Sequence, residues 1–333
     1  MISDQRARLA WLVVALAVLA GLALLSVAVG SRPVGWDDIL AGLGGDSDTL
    51  AEAAVTKRIP RTLLAVVVGA ALGAAGAVLQ GVTRNPLADP EILGVNMGAS
   101  LAVVAGIAWF GMSTPSSFVW VAIAGAGATA VFVYTVASLG RGGPTPLKLA
   151  LAGTATSAAF ASFVTALVLP RGDISANVLS WQIGGVGGAT FDTITLVVPF
   201  LLVGFGICLL TARGINTLAL GDDVASALGE RVAFTRGGAA VGAVLLCGAS
   251  TAVAGPIGFV GLVIPHLCRL LVGVDHRWLV PFSAVTGAAL LTTADVVGRI
   301  VARPSEIDVG IITALIGAPF FIHIVRRHQV REL

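Results

Sequence analysis

Apolar residues run through this chain in windows close to twenty residues long, separated by short polar breaks. The windows fall near 10–30, 62–81, 94–112, 117–138, 147–169, 191–212, 232–253, 256–272, 278–298 and 309–325. About 20 apolar residues carry an α-helix across a ~30 Å hydrocarbon core, and a backbone in lipid must satisfy its own hydrogen bonds. The pattern predicts an all-α integral membrane protein with about ten transmembrane helices in a single domain over residues 1–333. A further apolar stretch, VLSWQIGGVGG at 178–188, is too short to cross and is expected as a half helix or re-entrant segment. Arg6 and Arg8 precede the first window, whose run from Ala10 to Val29 outlasts the roughly 7–15 residues of a secretory signal core. A retained first span is expected.

Composition agrees. Of 333 residues, 56% are hydrophobic and 11% charged, against roughly 25% charged in soluble domains. The net charge of +2 gives no reason to expect nucleic-acid binding. Gly69-x-x-x-Gly73, followed by Gly76, suits close helix–helix approach in lipid. Cys208, Cys247 and Cys268 lie in apolar runs without CxxC spacing and read as small core residues. No group of residues has metal-ligand spacing, so no metal site is expected.

Charge also orients the chain. With both termini inside, Arg6, Arg8, Arg84, Arg141, Lys148, Arg213, Arg231, Arg236, Arg269, Arg277, Arg326, Arg327 and Arg331 fall on the cytoplasmic side. Arg32, Lys57, Arg58, Arg61, Arg171, Arg299 and Arg303 fall outside. The bias favours both termini inside. The outer cations cluster around Lys57–Arg61 and Arg299/Arg303, and they call for their own explanation.

The spans hold few ionisable groups. Asp192, Arg236 and Arg269 sit at span ends, while His266 and His323 are expected to be isolated and structural. Asp295 and Arg299, spaced i, i+4, can pair near the outer end of the ninth span. An ion-coupled secondary transporter, the alternative from another class, needs titratable groups near the midplane. No HExxH or G-x-S-x-G is present, and Ala219-Leu220-Gly221-Asp222 lacks the first glycine of G-x-G-D. Catalysis is not expected, so energy for uphill transport must come from another protein.

One stretch breaks the pattern: LALGDDVASALGER, 218–231. Asp222 can cap a short helix, and Asp223 suits its dipole. Val224, Ala227 and Leu228 form a small apolar face, and Gly229 is a natural stop. A helix this short is unstable alone, so it should rest on its own protein or in a groove on a cytoplasmic motor.

In order along the chain stand RIPR (58–61), GAALGAAGAVLQGVTRNPLADPEILGVNMGA (69–99), WQIGG (181–185), LALGDDVASALG (218–229), GPIGFVGLVIPHLCRLLVGVDHR (255–277), ADVVGR (294–299) and GAPFFI (317–322). On these blocks, from about 55 to 327, the chain resembles permease subunits of the FecCD/BtuC family. These are the membrane components of ABC importers for iron–siderophore complexes, haem and vitamin B12. The resemblance implies ten spans and a second permease subunit, identical or paralogous. It also implies two ATP-binding cassette subunits and an extracytoplasmic substrate-binding protein, with this chain a multi-pass protein of a bacterial cell membrane. It makes 218–229 the coupling helix seated on the ATPase, through Leu218, Gly221, Asp222, Asp223, Val224, Ala225, Ala227, Leu228 and Gly229. Without G-x-x-x-x-G-K-[ST], this chain should carry no cofactor of its own, and ATP and Mg should bind the partner ATPase. Arg58 and Arg61 match permease arginines that receive glutamates of the binding protein, and Arg299 is expected to act likewise. Val178, Trp181, Gln182, Gly184 and Gly185 match a short segment bordering the outer gate. Pro256 and Pro265 are expected to bend the eighth span. Arg269 and Asp275-His276-Arg277 either support the coupling helix or anchor helix ends. An iron–siderophore complex is the expected cargo, with haem or vitamin B12 as the alternative. A scaffold that transports nothing would leave the coupling-helix match unexplained.

Overall fold

The computed structural model describes residues 5–45, 48–139 and 145–329. Arg141 and Arg331, counted above with the inner cations, lie outside the described residues, as does the Arg327 side chain. The helices are α1 (Gln5–Ala28), α2 (Trp36–Gly44), α3 (Leu50–Thr83), α4 (Val95–Phe110), α5 (Pro115–Ser138), α6 (Pro146–Val168) and α7 (Gly172–Ile183). They continue with α8 (Phe191–Leu218), α9 (Asp222–Ala227), α10 (Val232–Ala254), α11 (Val260–Val272), α12 (His276–Val301) and α13 (Val309–Gln329). Among the described residues there is no strand. Among the described residues seven helices are long and apolar enough to cross a membrane, and α4, α11 and α13 are shorter apolar helices. Together these ten coincide with the ten apolar windows.

Three boundaries differ from the sequence expectation. α3 begins at Leu50 rather than near residue 62, because Thr49 accepts from the Glu52 amide while the Glu52 carboxylate accepts from the Thr49 amide. That capping box starts the helix ahead of the unbroken apolar window and puts Arg58, Pro60 and Arg61 inside it. α7 begins at Gly172 and stops at Ile183, so the glycine run 184–188 is loop and not helix. Pro256 bends no helix: 255–259 is a non-helical break between α10 and α11, and Phe259 holds φ 67°. Pro265 does lie within α11.

α3 is the central post, buried along most of its apolar length and packed against α8, α10, α11 and α12. Its face toward α12 is built of glycines. A Cβ on Gly69 would run into the Gly287 carbonyl, and one on Gly73 into the Ser283 carbonyl. Only bare backbone lets the two helices cross this closely, which is the main packing force available between helices in lipid. Cys208, Cys247 and Cys268 are free and buried. α1 packs on α12 and α3 at the edge of the bundle and turns Leu9, Trp11, Val13, Leu16 and Val18 outward.

Candidate functional site

α3 runs from one end of the bundle to the other, with Arg58 and Arg61 near its start and its C-cap Arg84 at its end. At the Arg84 end lies α9. Leu218, the last residue of α8, is fully buried and Gly221 turns the chain with φ 110°. Gly221 takes the N-cap place that was expected of Asp222; Asp222 is instead the first helical residue, and its side chain caps nothing. Its carboxylate binds both terminal nitrogens of Arg236 at 2.8 and 2.9 Å and also meets Arg84. Desolvation works to raise the pKa of Asp222. The hydrogen bond and charge of Arg236, joined by Arg84, outweigh it and hold the carboxylate below its ordinary range. Ala225 is buried as the anchor, while Asp223, Val224, Ala227 and Leu228 are exposed and Gly229 closes the helix at φ 87°. The apolar side of α9 therefore faces away from its own protein.

The neighbouring charges anchor helix ends, and their described hydrogen bonds and ion pairs go to helices other than α9. Asp275 accepts from the Arg277 amide as the α12 cap and from the Asn216 side chain of α8 at 2.6 Å. Asn216 returns its oxygen to the His276 amide at 2.9 Å. Arg8 of α1 stands 4.0 Å from the same carboxylate. Arg269 donates to the Gln80 side chain of α3.

At the opposite end, the cationic cluster has an internal use. α1 stops at Ala28 and leaves its last carbonyls without helical partners. Arg58 donates to Val27 O, Ala28 O and Arg32 O at 3.2, 3.0 and 2.7 Å. Arg299 donates to Ser26 O and Val29 O at 2.9 and 3.0 Å, and Arg303 to Gly30 O at 2.6 Å. Three guanidiniums thus cover the negative end of the α1 dipole. Arg58 and Arg299, expected to receive a partner's glutamates, are buried and engaged in this way, so neither presents its charge outward in this structure. The i, i+4 pair is present, with Arg299 and Asp295 at 2.8 Å.

Arg61 behaves differently. It bridges the buried Asp295 at 2.8 Å and the half-exposed Glu306 at 2.5 Å, and Glu306 accepts also from Ser31 Oγ at 2.8 Å. The expected gate segment abuts this cluster. Gly187 lies beside the Arg61 guanidinium, and Gly185 beside the Asp308 carboxylate. Val178 and Gly184 are buried, and Trp181, Gln182 and Gly185 are partly so. Backbone bonds stitch the loop down: Gly184 N to Trp181 O, Gly185 N to Ala254 O, and Gly310 N to Gly184 O, at 3.1, 2.8 and 2.9 Å.

Sequence reasoning missed one feature. The 84–94 connection returns into the bundle, where Asp89 is buried and accepts from the Glu91 amide at 2.8 Å. The two carboxylates face the amides of Leu262 and Phe259. They complement the N-terminal dipole of α11 across the break at 255–259. Asn96 and Gln80 secure the same junction by donating to Ile257 O and Gly261 O at 3.3 and 2.9 Å. Two prolines and two acids between spans were the available signal.

The sequence profile of the FecCD transport family matches residues 16–327. The chain belongs to this family. It is 40% identical over 270 residues to the probable siderophore transport system permease protein YfiZ of Bacillus subtilis, covering 81% of each chain. It is 39% identical over 304 residues to the ferric enterobactin transport system permease protein FepD of Escherichia coli, covering 91% of each. A solved structure described as an inward-facing conformation of a putative metal-chelate type ABC transporter superposes with a TM-score of 0.80 at 30% identity, covering 95% of this FecCD chain and 98% of that one.

Proposed function

We propose that this chain is the transmembrane permease subunit of an ABC importer. It passes an iron–siderophore complex into the cytoplasm, driven by ATP hydrolysis in a partner subunit, and sits as a multi-pass protein in the bacterial cell membrane. Membership of the FecCD family and siderophore permeases among its relatives support the importer and its cargo. The observation that carries the mechanism is α9, a six-residue helix held at its base by Asp222 and Ala225 with Val224 and Leu228 facing outward.

A helix so short holds its shape only through its attachments. Here these lead to α3 through Arg84 and to α10 through Arg236. A motor that grips the exposed apolar side pulls both helices together. ATP and Mg belong to that motor, a pair of ATP-binding cassette subunits, and a second permease, identical or paralogous, completes the pathway. At the other end a substrate-binding protein delivers cargo around Arg61.

The test is uptake in a strain lacking the gene. Labelled ferric siderophore is expected to accumulate in the complemented strain, while labelled cobalamin and haem do not; accumulation of either instead would reassign the cargo. Leu228→Asp and Asp223→Lys should each lower uptake and stimulated ATPase activity by about tenfold or more, as losses at an interface anchor do, with normal membrane insertion. Full uptake in both variants would remove α9 from the motor interface.

A further inference from the structure

Of the two carboxylates paired with Arg61 among the described residues, Glu306 is the one that can leave. Asp295 is fully buried between Arg61 and Arg299, and withdrawing it would strand a buried charge. Glu306 lies on the exposed 302–308 link and is held only by Arg61 and Ser31 Oγ among its described contacts. Glu306 itself is exposed, so both contacts are solvated on its side, where an ion pair is weak and exchangeable.

The link it restrains leads straight to the gate segment. Two residues beyond Glu306, Asp308 packs against Gly185. Two further on, the Gly310 amide holds the Gly184 carbonyl, and Gly185 is bonded in turn to the end of α10. Gly184 sits at φ 81° with no room for a Cβ beside Pro256, so this loop shifts only if its neighbours do.

We propose that Glu306 is an internal placeholder for an acidic docking partner. A carboxylate on the partner protein takes Glu306's seat on Arg61, charge for charge, so the buried Asp295–Arg299 pair stays neutralised. The released 302–310 link then loosens its hold on the 184–188 loop. Docking and gate release thereby become one exchange of ion pairs. This inference rests on the reading of the Arg61 end as the docking surface.

The experiment uses the full transporter in lipid nanodiscs, with its ATP-binding subunits, and the transporter's own substrate-binding protein as probe. Association is measured at low salt for the parent, Glu306→Gln and Arg61→Gln. Glu306→Gln removes the competitor and should tighten binding about three- to fivefold, the range an exposed ion pair sustains. Arg61→Gln should weaken it. Hydrogen exchange at the Gly310 and Gly185 amides should speed up in Glu306→Gln without the partner, and in the parent once the partner binds. If Glu306→Gln binds no tighter while Arg61→Gln binds more weakly, the docking surface stands and the placeholder is overturned. Unchanged binding in Arg61→Gln would instead overturn the docking surface, and the placeholder with it. Ser31→Ala, which removes only the second contact of Glu306, should shift binding in the same direction by less; a shift the other way counts against the exchange.

Discussion

The two ends of α3 use the same chemistry under different dielectric conditions. At the start of the helix, Arg61 and Arg299 hold an Asp295 carboxylate with side-chain exposures of 14%, 1% and 0%. At its end, Arg84 and Arg236 hold Asp222 with exposures of 36%, 33% and 45%. The first arrangement is a buried cluster whose every charge depends on the others. The second is solvated, fixes geometry, and contributes little to stability. The outer end is built for rigidity except at Glu306, and the inner end leaves the apolar side of α9 uncovered.

The buried end should therefore fail hardest. Arg299→Ala leaves the buried Asp295 with Arg61 as its one remaining described partner and strips two hydrogen bonds from the Ser26 and Val29 carbonyls. Breaking a buried pair by removing one member costs about 3–5 kcal/mol. The thermal midpoint of the purified chain in detergent should fall steeply, with α1 exchanging hydrogen faster than α3. A midpoint close to that of the parent would mean the cluster is dispensable.

Next in size is the glycine crossing between the ends. Gly73→Leu places a side chain against the Ser283 carbonyl, and overpacking of this kind costs typically about 1–3 kcal/mol. Cross-linking between cysteines introduced into α3 and α12 should become slower, and thermal stability lower. Cross-linking at the parental rate would show that the helices need no bare contact.

These contrasts mark what the sequence could reveal. Ten apolar helices were legible because hydropathy reports directly on burial in lipid. The start of α3 was not, since Glu52, Thr56, Lys57, Arg58 and Arg61 interrupt the apolar pattern there and the reciprocal Thr49–Glu52 cap marks the helix start. The glycines at 184–188 looked like part of an apolar segment, yet they end α7. Arg58 and Arg299 were visible as charges near the outer face. Their engagement with α1 depends on where an entirely different helix stops, which no local pattern encodes. The inward course of 84–94 likewise depends on the break before α11. Val224 and Leu228 were the opposite case: their spacing showed an apolar face, and the structure shows it turned outward.

Smaller still is the expected change at the solvated end. Asp222→Asn weakens the grip on Arg236 and Arg84, and exposed pairs of this kind contribute about 0–1 kcal/mol. Thermal stability should barely move. Hydrogen exchange within 222–227 should quicken and coupling of ATPase activity to uptake should drop, because the helix has lost its base. Tight coupling in Asp222→Asn would show that Ala225 packing alone transmits the motion.

The last contrast is a pH dependence at Asp275, beside the solvated end, which shows only on acidification. The hydrogen bond from Arg277 chiefly, with help from the Arg277 amide and Asn216 against some desolvation, holds this carboxylate at about 2 in place of the ordinary 3.8. A depressed folded-state pKa stabilises the fold above the unfolded value, and that contribution fades as pH falls toward the folded one. Asp275 should thus contribute fully at and above about pH 5, progressively less between about 4 and 2, and nothing below. Comparing thermal midpoints of the parent and Asp275→Asn across this range isolates it: the gap between them should close as the medium is acidified. A gap that stays constant down to pH 2 would mean that packing at the Asn216–His276 junction, and not the charge, holds α12 to α8.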